Sequence, residues 1–176
     1  MGGSLGLVAA ADPRIAAQVD RVVSFGGYYD AIETFGAIAT RRISYDGVDE
    51  AWTPREHAEE VMAQQIIRVV GDGDDRDRLW RWFVQDEQPR AADVATLSPA
   101  GRGAYDFLSN DDPAAVSSLA AKLPDEGIAE LEELSPRTSI DRVQAELFIV
   151  HDRADPFIPY TESRRLKAAI GNRPNA

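Results

Sequence analysis

Cysteine is absent from the 176 residues, which excludes disulfides, thiolate nucleophiles and cysteine-ligated zinc together and fits a reducing cytoplasm. Histidine is scarce: His57 and His151 are the two imidazoles available to any mechanism. Basic side chains are outnumbered, 19 Lys plus Arg against 30 Asp plus Glu, for a net charge of -11. That balance argues against nucleic acid and against anionic membrane surfaces as partners. The acidic residues are spread along the chain, as in Asp74, Asp75, Asp77 and Glu130, Glu132, Glu133, and read as a solvated surface. Long apolar runs are missing too. The opening stretch has no basic residue before it and is stopped by Asp12-Pro13, so neither a signal peptide nor a membrane span is expected.

What is present is ordinary globular composition, 44% hydrophobic, 28% charged and 8% aromatic, long enough for one core. Ser4 to Ala11 is helix-prone, and Val19 to Phe25 is a β-branched run ending at Gly26-Gly27, the pattern of a buried strand feeding a turn. Tyr28, Tyr29 and Asp30 then fall on a loop. From Ala31 to about Asp141 the spacing predicts helices over 31–42, 54–70, 75–85, 98–108, 113–123 and 126–134. Thr53-Pro54-Arg55-Glu56 and Ser98-Pro99 carry capping hydroxyls before N1 prolines. Glu146 to Val150 returns to a strand pattern, and Thr161 to Ile170 to a capped helix. The order predicts an α/β fold with a parallel sheet, residues 1–30 and 142–176 forming its core and 31–141 a helical insertion. Two strands make a small sheet, and its open edge invites self-association.

Two segments, GGSLGLVAAADPRIAAQVDRVVSFGGYYD and LFIVHDRADPFIPYTESRRL, resemble the α/β-hydrolase family, and together they bracket the chain. The resemblance implies a partial α/β-hydrolase fold, a few parallel strands with flanking helices and a large helical cap insertion. The second segment is similar to the family's HGxxDxxVP turn, whose aspartate orients the catalytic histidine. This implies that role for Asp155, with Asp152 departing from the usual glycine. Gly2, Gly3, Ser4, Leu5 and Gly6 match G-x-S-x-G, which implies Ser4 as nucleophile. In a second register Met1-Gly2-Gly3 is the tail of G-x-S-M-G-G, and the nucleophile precedes Met1. His151 reads as a loop-shaping residue and His57 as a solvent-facing helix residue, so neither supplies the base.

The implied chemistry is serine-dependent hydrolysis of a small-molecule ester or amide, without metal or cofactor. The cap would line a substrate pocket with Tyr28, Tyr29 and Trp80, near Trp82 and Phe83. With neither histidine supplying the base and the second register placing the nucleophile before Met1, the 176-residue chain alone is expected to show no triad-dependent turnover. A non-catalytic remnant that associates through its sheet, or a ligand-binding module, are the alternatives.

Overall fold

In the computed structural model, which describes residues 2–71 and 73–171, the two apolar runs meet. Strand β1 (Arg21–Phe25) lies parallel to β4 (Glu146–Val150), in register from Arg21↔Glu146 to Phe25↔Val150. The Arg21 Nε to Glu146 Oε2 contact of 3.0 Å marks the start of the pair. Beyond its end, Gly26 N still donates to Val150 O at 2.9 Å.

Alternation along the strands sends Val22, Leu147 and Ile149 to one face, where they pack with Leu7 and Ala10 of α1 (Gly2–Ala10) and with Leu166 and Ile170 of α9 (Thr161–Ile170). Val23, Phe25, Phe148 and Val150 point to the other face and stand 45% to 69% exposed. Parallel strands ordinarily bury both faces. Here the described residues cover one.

The chain between the strands is mostly helical and builds a second core. Asp30 accepts from Ile32 N and Glu33 N and so caps α2 (Ala31–Thr40). Helices α3 (Glu56–Arg68), α4 (Asp74–Val84), α5 (Ala91–Val94), α6 (Pro99–Leu108), α7 (Val116–Ala120) and α8 (Asp125–Glu133) follow. Ile66, Ile67, Leu79 and Phe107, all essentially inaccessible, form the centre of this core. Tyr28 and Ile158 join it from the sheet side, while Ile140 belongs to the core under the sheet.

Three local expectations need correction. The stretch after α2 is an antiparallel hairpin of β2 (Arg42–Tyr45) and β3 (Val48–Ala51), not loop between helices. Its turn is Asp46-Gly47, with φ of 47° and 79°, the pair of left-handed residues that a two-residue hairpin turn requires. Thr53 does not cap α3: Arg55 holds the cap position and its side chain, which carries donors only, offers no cap, while its backbone N–H donates to Pro156 O at 2.8 Å. Helix α9 likewise starts without a side-chain cap. Ser98 does cap α6, accepting from Gly101 N at 3.1 Å.

Candidate functional site

The C-terminal ends of β1 and β4 open into two loops that touch. Gly26 has φ of +57°, and a Cβ there would stand 3.0 Å from Asp155 Oδ2, so a side chain at 26 would be strained and would crowd the carboxylate. Asp155 therefore sits at the strand edge beside the β1 loop. Its Oδ1 accepts from Phe157 N at 2.7 Å and Ile158 N at 3.2 Å, the side-chain-to-backbone turn that an Asp-Pro sequence favours. Its main-chain oxygen accepts from Trp52 Nε1 at 3.1 Å. Oδ2 is the less committed oxygen, 3.6 Å from His151 Nε2.

His151 is close to that carboxylate but spent. Nε2 lies 3.0 Å from Ile158 O, an oxygen that only accepts, so this nitrogen carries the proton and Nδ1 accepts from the Ser163 hydroxyl. With both ring nitrogens engaged and the side chain 4% exposed, His151 braces the loop, as its place after β4 suggested. His57 is exposed on α3, with Nδ1 3.5 Å from Glu60.

Ser4 is not presented as a nucleophile. It lies within α1, not on a turn entering it, and is fully buried. Gly27 closes over it: a Cβ at 27 would come within 3.1 Å of the Ser4 Oγ and 2.7 Å of the Ser24 Oγ. Among the described residues the Ser4 Oγ has no hydrogen-bond partner. A hydroxyl shut off from solvent and from both imidazoles can neither reach a carbonyl nor lose its proton.

Sequence reasoning passed over Glu162. Its Oε2 accepts from Tyr29 N at 3.0 Å and Asp30 N at 2.9 Å, and Arg165 Nε lies 3.1 Å from Oε1. Burial pushes this carboxyl up to about 7, against the pull of the two N–H donors and Arg165. Arg165 also reaches Glu33 Oε2 and Ser44 O, both at 3.0 Å. Asp30 meets Arg137 at 2.7 Å, and Ala31 N donates to Ser135 Oγ at 2.9 Å. The loop joining β1 to α2 is thus held from α9 on one side and from residues 135–137 on the other. The signal available in sequence was one acidic residue in the first turn of a helix, which is common and uninformative alone.

Next to this loop is a cavity of about 380 Å³. Tyr28, Phe35, Ile38 and Leu131 line it, together with Phe157 and Ile158, the two residues bound by Asp155. Of the three aromatic residues expected in a pocket, Tyr28 lines this cavity. Tyr29, adjacent in the chain, packs instead on the core beneath the sheet, and Trp80 is exposed on α4 away from the cavity. Trp82 and Phe83 pack edge-on against Tyr105 within the helical core.

Among the described residues no group of three or more acidic or histidine side chains could hold a metal, and no helix is long and apolar enough to cross a membrane. No protein-family model, curated protein or solved structure matches this chain.

Proposed function

We propose that this chain is part of an α/β-hydrolase that cleaves carboxylic esters, or amides, by serine attack and an acyl-enzyme, with Asp155 orienting an imidazole and stabilising the imidazolium formed. One observation carries the reading. A carboxylate stands on the loop at the C-terminal edge of a parallel strand, beside the loop from the neighbouring strand, and the two residues it anchors wall an apolar cavity. In parallel α/β sheets that edge is where ligands bind.

Ser4 is shut away from solvent, His151 has both ring nitrogens engaged and His57 stands exposed on α3 beside Glu60, so in this reading the nucleophile and the base come from chain that these 176 residues do not include. Purified as it stands, the chain is expected to hydrolyse 4-nitrophenyl esters no faster than its Ser4→Ala variant. A rate abolished by Ser4→Ala would overturn this assignment. The coding sequence on the 5′ side of Met1 tests the family reading itself: an in-frame apolar strand ending in Gly-x-Ser supports it, and a stop codon there removes it.

The bare sheet face favours a second reading, an association module without chemistry. Val23, Phe25, Phe148 and Val150 form a contiguous exposed apolar strip, and both strand edges are open among the described residues. Sedimentation velocity is expected to show concentration-dependent self-association that Phe25→Asp weakens at least tenfold. A wild-type monomer at high concentration would discard this reading.

A further inference from the structure

The cavity beside Asp155 has every polar group with a described hydrogen bond turned to the protein itself. Tyr28 donates its hydroxyl to Leu134 O at 3.1 Å, and burial raises its pKa so that it stays a hydroxyl. Thr34 donates to Asp30 O at 2.8 Å. Gln65 Oε1 accepts from Arg68 at 3.0 Å. His57, among the described residues the one ionisable side chain in the wall other than Tyr28, is turned to Glu60 at the exposed surface of α3. Among the described residues no carboxylate, ammonium or guanidinium lines the space.

A ligand entering such a space gains by burying hydrocarbon and is penalised for any charge it brings, since nothing in the wall replaces lost water. At ~30 Å³ for each water-sized group, 380 Å³ holds about a dozen non-hydrogen atoms. The space is bordered by Leu5, next to Ser4 in α1, and by Phe157 and Ile158, whose N–H groups donate to Asp155 Oδ1, so the Asp155 turn forms part of its wall.

We infer that this cavity is the seat of the non-reacting part of the ligand, an uncharged linear hydrocarbon of about eight to twelve carbons, with its polar group at the Asp155 end. Resting on the hydrolase reading, this assigns the substrate class as neutral medium-chain acyl compounds and rules against charged acids and amines. The acyl chain fills the apolar walls, and the carbonyl carbon is left at the strand edge.

Calorimetric titration of the 176-residue chain with alkan-2-ones of four to fourteen carbons tests it, because ketones bind without turning over. Affinity is expected to rise about tenfold for each two carbons added and to level off near ten to twelve, with the carboxylate of equal length at least a hundredfold weaker. Ala58→Phe, which fills the cavity from α3, and Val61→Trp, at a half-buried position that leaves the fold an outlet, should each reduce decan-2-one binding tenfold or more. Melting curves would verify that both variants are folded. Affinity independent of chain length, equal binding of ketone and carboxylate, or binding untouched in both folded variants overturns the inference. Binding of the expected pattern alongside a stop codon before Met1 supports the cavity assignment while removing the hydrolase reading, so the two can fail separately.

Discussion

Glu162→Ala is expected to lower stability by about 3 kcal/mol, a fall of roughly 6–12 °C in Tm for a chain of this size. The substitution strands the N–H groups of Tyr29 and Asp30, which have no other described acceptor, and takes from Arg165 one of its two carboxylate partners. Thermal and urea melts check it; a change under 1 kcal/mol would mean that the loop is held without this carboxylate. Glu162→Gln keeps an acceptor for the two N–H groups and isolates the charge.

The pH dependence has a definite sign. In the folded chain the carboxyl is pushed from 4.5 up to about 7, so the folded state holds this proton more tightly than the unfolded chain does. The associated stability is therefore complete below pH 4.5 and is lost as pH rises through about 7. At most about 3 kcal/mol is involved. Wild type should lose stability relative to Glu162→Gln between pH 5 and 8, and parallel curves for the two would show that the residue ionises normally.

The second large effect is at Asp155. Asparagine retains an oxygen for Phe157 N and Ile158 N, so Asp155→Asn should leave Tm within about 3 °C. In any form of the protein that shows serine-dependent hydrolysis, the same change should lower kcat about ten-thousandfold, because the amide cannot hold the imidazole in its working tautomer or stabilise its cation. Alanine separates the two roles: it removes both turn bonds and should cost about 1–2 kcal/mol. An asparagine variant with full hydrolysis and an alanine variant that is merely unstable would make Asp155 a turn residue and nothing more.

The two strands that pair as β1 and β4 were legible in the sequence, because a β-branched run ending in glycines and a short apolar run are both local signals. The hairpin at Asp46-Gly47 was equally local and was hidden by its place between two strongly helical stretches. Its strands carry Arg42, Asp49 and Glu50, and the alternation is weak. At the candidate site, motif and position in the sequence pointed to Asp155 and Tyr28, and the structure places Asp155 in the turn after β4 and Tyr28 in the cavity wall. Tyr29 was not separable from Tyr28, because an aromatic ring in sequence gives no indication of which of two cores receives it, and Trp80 enters neither core.

By itself the sequence determined the parallel α/β order of elements, the helical span between the strands, and a carboxylate just past β4, all of which follow from side-chain periodicity and from turn residues within a few positions. Only the tertiary structure decided that Ser4 is shut beneath Gly27, that His151 is tied to Ser163 and Ile158, and that Glu162 clasps the loop more than 130 residues before it. Those outcomes depend on which surfaces meet when segments far apart in the chain pack together. Burial, proton affinity and access to a hydroxyl are properties of that meeting and have no local signature.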